Sequence, residues 1–290
     1  MTRVQSAMFF LVACLGLSST AADASETCAP ESGNAYEVVR VIDSETLLLD
    51  SGREVRLIGA LAPKPDTLLT AADDWPPARE AALALEALVL HRTVSLRYDG
   101  RRRDRYGREL AQLYVAGPNG TEWVQRALVS AGHARAYALA GNTSCLKELV
   151  AAEADARIAR RGIWSREGFR ARVAADPKTL LQLTGRFVLV EGRVSSIARV
   201  QKTTYLNFGD DWRSDFTVSI ANAIADRGKG GAAQLSALAG QEIRVRGWIE
   251  RRNGPMIVLT SLDEIEVIGP RAEVPGVSNS SAQPNTKTPR

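Results

Sequence analysis

From Tyr36 the chain alternates apolar and polar positions, and the alternation through "YEVVRVIDSETLLLDSGREVRLIGAL" breaks at Asp50-Ser51-Gly52. Alternating runs on either side of such a break predict a β-hairpin. "WPPAREAALALEALVL", Trp75 to Leu90, changes period. Its apolar residues recur every three to four positions and proline stands near its start, which predicts a helix. "TVSLRYD" returns to a strand, and "RRRDRYGRELAQLYVAG" reads as a basic loop feeding another. Two more helices are predicted, over Thr121–Gly132 with glycine closing it, and over Ser144–Trp164.

The pattern shifts after Ser165, where a polar stretch to Lys178 marks a boundary. Beyond Leu183 come short strands, "RFVLVEGRVSSIARV", "TTYLNFG", "DFTVSI", "EIRVRGWIERR" and "PMIVLTSLDEIEVIG", with a helix predicted around Gln234–Leu238. Short strands joined by Gly and Asn-Gly turns predict a small barrel or sandwich. The tail from Pro270 is rich in Ser, Pro, Asn and Thr and is expected to be disordered. The division expected is therefore a targeting segment at 1–24, a first domain at 25–165, a linker at 166–180, a second β domain at 181–269 and a tail at 270–290. The fold class is mainly β with α (α+β).

The first residues read as an export signal: Arg3, then the apolar run "AMFFLVACLGL", then "ADA" at Ala22–Ala24. The run is too short for a permanent membrane anchor. A competing reading makes "LVAC" a lipoprotein box with Cys14 lipidated, but its apolar lead-in is short. The expectation is an exported chain, periplasmic or secreted. Cleavage after Ala24 leaves Cys28 and Cys145, and an even pair in an exported protein predicts a disulfide. Two cysteines with only His91 and His133 make a poor metal set.

Bulk composition adds little. The 290 residues carry a net charge of +4 and a pI of about 9.1, which permits an anionic partner without requiring one. The candidate chemistry is local. Asp43 and Glu45 are placed on one face if the segment is extended, and paired carboxylates can hold a hard cation. Arg56 lies inside an apolar strand, where a charge needs a partner; a structural ion pair, with Glu45 itself, is the plain alternative. Arg108 follows a tight Tyr-Gly turn beside further arginines. Two arginines converging on one pocket suit a phosphate, whose charge is spread over its oxygens. Asp43 as a simple turn-former and the run Arg101–Arg105 as a solvated loop are the plain readings of the rest.

These motifs, in this order over about Tyr36 to Trp164, resemble the staphylococcal nuclease (thermonuclease) family: the "D-x-x-T" turn, "RLIG…AP", "DRYGREL" and the closing "GIW". The resemblance implies a five-stranded OB-type β-barrel with three helices. It also implies calcium-dependent cleavage of DNA and RNA, with residue roles that this sequence keeps only in part. The first calcium ligand falls on Glu45, within Asp43-Ser44-Glu45-Thr46. The second ligand falls on Leu61 and the general base on Lys64, within Leu61-Ala62-Pro63-Lys64. The two phosphate-gripping arginines fall on Arg56 and Arg108. Leucine cannot ligate calcium, and a cationic lysine cannot take a proton from water. Asp66, two residues past Lys64, is the nearest substitute carboxylate.

The later strands resemble a bacterial OB-type module found after nuclease-like domains, giving two small OB-type barrels in all. Tyr205, Phe208, Trp212 and Trp248, with Arg193, Arg199, Lys202, Arg246, Arg251 and Arg252, are its candidates for single-stranded nucleic acid, although strand aromatics are more often core. The expectation is an exported binding or scaffold module for nucleic acid, another anionic ligand or an envelope protein, with catalysis impaired and calcium weakly held or absent. The rival is a residual calcium-dependent phosphodiesterase acting on single-stranded DNA or RNA.

Overall fold

The computed structural model describes residues 28, 31–65, 75–118, 120–227 and 230–269. The export signal, Cys14, Asp66 and the tail from Pro270 lie outside them.

The first half opens with β1 (Glu31–Asp43), β2 (Thr46–Leu49), β3 (Glu54–Leu57) and the two-residue β4 (Ala60–Leu61). It continues through α1 (Pro76–Val89), β5 (Thr93–Tyr98), β6 (Glu109–Gly117), β7 (Gly120–Trp123), α2 (Val124–Ser130), β8 (Arg135–Ala136) and α3 (Leu146–Ile158). The hairpin turns at Gly52, whose φ of 75° suits glycine. The sheet runs β3-β2-β1-β5-β6-β7, and a parallel β3–β6 pairing (Val55 against Glu109) closes five of these strands into a barrel of OB type. Inward residues such as Leu47, Leu49, Val55, Leu96 and Leu113 are fully buried, with α2 and α3 adding Leu128 and Leu149 to the same core. Each such side chain stabilises the fold by about 1.5–3 kcal/mol. The predicted disulfide is present: Cys28 and Cys145 bridge across 117 residues, with Cα atoms 4.7 Å apart.

The second half comprises β9 (Arg172–Val173), α4 (Pro177–Gln182), β10 (Phe187–Arg193), β11 (Ser196–Val200), β12 (Thr203–Asn207), β13 (Thr217–Ala221), α5 (Asn222–Ala225), α6 (Gly231–Ser236), β14 (Glu242–Arg252), β15 (Gly254–Leu259) and β16 (Ile265–Val267). Its sheet runs β11-β12-β13-β15-β14-β10-β9, with β16 on β14. It has a core of its own around Phe216, Val218, Ile220, Ile243 and Ile257.

Three local expectations change. The helix expected from Thr121 starts at Val124, because Thr121–Trp123 pair with β6 and Trp123 stacks on Tyr114 at 6.2 Å. The helix expected to reach Trp164 ends at Ile158. Arg160 and Gly162 take positive φ there, and the backbone at Gly162 passes so close to Gly132 that an added Cβ would sit 2.3 Å from its carbonyl oxygen. The stretch expected as a linker is ordered. It carries β9, parallel to β10, and the start of α4, whose N-cap Asp176 accepts from the Thr179 N–H at 3.1 Å.

A third apolar cluster joins the halves: Leu61, Ala156, Ile163 and Trp164 from the first, Phe187 and Leu189 from the second. Beside it lies a charged network. Arg246 of β14 is fully buried and donates to Glu153 of α3 at 2.9 Å and to Glu266 of β16. Arg157 of α3 reaches Glu153 at 2.5 Å and Glu266 at 2.6 Å. Arg244 spans Glu266 and Glu191. Among the described residues no helix is long and apolar enough to cross a membrane.

Candidate functional site

The site lies where β2 and β3 meet the loop after β4 and the loop before β6. Asp43-Ser44-Glu45-Thr46 is a turn between β1 and β2 rather than an extended run. Side-chain alternation therefore does not relate the two carboxylates: Asp43 is exposed and Glu45 is buried at 4% exposure. Asp43 Oδ1 accepts the Glu45 N–H at 2.7 Å, so this aspartate shapes the turn.

Glu45 is turned inward, and its carboxylate is engaged by two hydrogen-bond donors and a neighbouring guanidinium. Oε1 accepts the Ala62 N–H at 2.9 Å. Oε2 takes the Lys64 ammonium at 3.2 Å and stands 3.6 Å from the Arg56 guanidinium. Arg56 on β3 thus finds its ion-pair partner in Glu45, as the plain alternative supposed. Lys64 closes from the solvent side, with its side chain 61% exposed. Leu61 is buried at 4% exposure in the cluster joining the halves, and its backbone pairs with Arg135. Asp73 and Asp74, like Asp66, lie outside the described residues.

Arg108 is presented by a loop that Asp104 organises. The Asp104 carboxylate accepts the N–H groups of Tyr106 at 2.8 Å and Arg108 at 3.1 Å. It also holds the Arg108 side chain through Nε at 2.8 Å and a terminal nitrogen at 2.7 Å. Gly107 supplies the positive φ of 85° that the tight turn needs. Burial alone would raise the Asp104 pKa, but the Arg108 side chain and these two N–H groups hold it below its ordinary value. Arg108's other terminal nitrogen donates to Thr46 Oγ1 at 3.2 Å, and Thr46 pairs directly with Arg56. Arg56 and Arg108 therefore converge through Thr46, each about a fifth exposed at 23% and 21%. Asp104 is absent from the sequence reading; its four-residue spacing from Arg108 and its place two residues before Tyr106 are the signals that could have found it.

The arrangement presents partly exposed guanidinium groups and an ammonium to solvent. Their planar donors suit phosphate or carboxylate oxygens. A calcium ion needs six to eight oxygens. Among the described residues no group of three or more His, Cys, Asp or Glu side chains is placed to hold a metal, and Glu45 is already held by cations. Among the described residues, this donor set falls short of the oxygens that calcium needs.

The second-half candidates separate. Arg246, grouped in the sequence with nucleic-acid cations, is a buried seam residue because α3 covers it. Arg199 is paired with Asp226 at 2.6 Å, and Phe208 packs on the core beside Phe216. Trp212 and Trp248 stay exposed, at 53% and 43%.

The comparisons agree with this fold. A family model described as "Staphylococcal nuclease homologue" matches residues 54–166. The chain is 31% identical over 136 residues to a thermonuclease of Staphylococcus hyicus, covering 45% of this chain and 75% of that protein. It is 31% identical over 148 residues to endonuclease YncB of Bacillus subtilis, covering 48% and 68%. It is 34% identical over 131 residues to an uncharacterized endonuclease of Escherichia coli, covering 44% and 75%. With 31% identity to the thermonuclease, three quarters of which is spanned, and the family model matching residues 54–166, the chain belongs to the staphylococcal nuclease homologue family.

Proposed function

We propose that this chain is an exported, catalytically impaired member of its family that grips single-stranded nucleic acid or a related anionic ligand through Arg56, Arg108 and Lys64. The observation that carries the reading is the state of Glu45, whose carboxylate is engaged by Lys64, Arg56 and the Ala62 N–H. A carboxylate so held is a poor cation ligand, and an ammonium at the base position cannot accept a proton from water. Loss of a general base alone lowers a rate by about 10²–10⁴-fold. The buried Leu61 offers no oxygen in place of the second ligand. The disulfide is compatible with an oxidising compartment.

A second reading, residual calcium-dependent phosphodiesterase activity with Glu45 as ligand, draws on the partly exposed Arg56 and Arg108 and on relatives named thermonuclease and endonuclease. One experiment separates the two. The mature, oxidised protein is incubated with fluorescent single-stranded DNA and RNA, with calcium or with EDTA, beside Arg108→Ala. The proposal expects no cleavage, and binding that weakens steeply with salt and with loss of Arg108. Calcium-dependent cleavage lost in Arg108→Ala overturns it in favour of the second reading.

A further inference from the structure

The site in the first barrel is joined to an exposed tryptophan on the second by a run of direct contacts. Leu61, three residues before Lys64, pairs with Arg135. The Arg135 guanidinium donates to the Phe187 carbonyl at 2.5 Å and lies 4.9 Å from the Phe187 ring centre. Phe187 is the cross-strand partner of Trp248, their rings meeting edge to face at 5.7 Å.

Strand alternation explains why Trp248 is left in solvent. On β14, Ile243, Val245 and Ile249 point into the second core. Arg244, Arg246 and Trp248 share the opposite face. The first barrel covers that face at Arg244 and Arg246 through Arg157, Glu153 and the β16 carboxylate. Trp248 is the first residue of the face beyond the cover, and it keeps 43% of its surface exposed. Leaving nearly half of an indole in water forgoes apolar burial that the ring could otherwise gain.

Resting on the binding reading above, we propose that single-stranded nucleic acid held at Arg56 and Arg108 continues over the seam and stacks a base on Trp248, so that the two barrels form one binding path. Charge favours this occupant. Lys64, 61% exposed, stands at the first-barrel end, and Arg252, 62% exposed and paired with Glu250 through its Nε at 3.0 Å, lies four residues beyond Trp248 on the same face of β14. Stacking on an aromatic side chain is tolerant of sequence, which suits a groove whose other contacts go to the backbone.

The test is fluorescence anisotropy of labelled thymidylate oligomers, a tetramer and a dodecamer, with the full oxidised chain in EDTA. Four variants are compared: Trp248→Ala, Trp248→Leu, Trp248→Phe, and Arg56→Ala with Arg108→Ala. The leucine variant keeps an apolar contact to Phe187 without a stacking face, and the phenylalanine variant keeps the ring. The expected result is a dodecamer bound more tightly than the tetramer. That advantage falls by about fivefold or more in the alanine and leucine variants and is retained with phenylalanine. Tetramer binding should be unchanged by all three and lost in the double arginine variant. A leucine variant that binds the dodecamer as the native chain does, while tetramer binding still needs the arginines, overturns the shared path and leaves the binding reading standing. Failure of the native chain to bind either oligomer removes both.

Discussion

Arg246 offers the most direct test of how the two halves are held. It is fully buried, and its partners are Glu153, also fully buried, and Glu266. Arg246→Met keeps an apolar stem of similar length and deletes the charge. Removing one member of a buried pair costs about 3–5 kcal/mol when the partner is left stranded. Here neither carboxylate is stranded outright. Glu153 keeps Arg157 at 2.5 Å and the Ala136 N–H at 2.6 Å, and Glu266 keeps Arg157 at 2.6 Å and Arg244 at 3.2 Å. The expected loss is therefore at the foot of that range, about 3 kcal/mol. Urea denaturation followed by circular dichroism measures it. A double-mutant cycle with Glu153→Gln should show a coupling of about 1 kcal/mol or more, since the two groups touch. A methionine variant as stable as the native chain, with no coupling, would refute the reasoning and make the network a set of interchangeable surface charges.

Other expectations concern single groups. Reducing Cys28–Cys145 should lower stability by about 2–4 kcal/mol, read as a shift in denaturation midpoint with and without reductant. Burial pushes the Glu264 pKa up to about 7 against N–H donors from Thr260 and Ser261 that favour the charged form. Its folded pKa is above its unfolded one, so its contribution is present below about pH 4.5 and is lost as pH rises through about 7. Glu264→Gln should accordingly flatten a decline of up to about 3 kcal/mol across that window in pH-dependent unfolding. Leu61→Asp should destabilise by about 3 kcal/mol or more, because it places a carboxylate in the apolar cluster with Phe187 and Leu189. A thermal melt that does not move would show the seam to be looser than described. Asp104→Ala should weaken oligonucleotide binding as much as Arg108→Ala does, since it removes both the turn's acceptor and the arginine's anchor; intact binding in an anisotropy titration would dispose of that role.

What the sequence made legible was short in range. The hairpin at Asp50–Gly52, helix α1 and the cysteine pair each depend on a local signal or a count, and each is present. The barrel and its family followed from the order of several weak motifs. Some of what stayed hidden depended on distant parts of the chain. Strand alternation sends Arg244 and Arg246 to the solvent side of β14; only the arrival of α3 turns that side into an interior. Helix α3 ends on a local signal that periodicity does not register: Arg160 takes a positive φ and the Arg161 N–H turns back to the Ala156 carbonyl at 2.9 Å. Glu45 and Asp43 were misaligned by treating a turn as a strand, and one hydrogen bond from the Glu45 N–H to Asp43 separates the two readings.

Leu61 carries a consequence for how freely its position can change. The resemblance implied a carboxylate there, whereas the side chain present helps to seal two barrels together. Exchanging one for the other would not be a local edit. A chain carrying aspartate at this position would have to hold a desolvated charge beside Phe187, or move the second barrel aside. The seam acts as a lock on one residue of the loop that leads to Lys64, while Arg56 and Arg108, each about a fifth exposed, stay outside that lock.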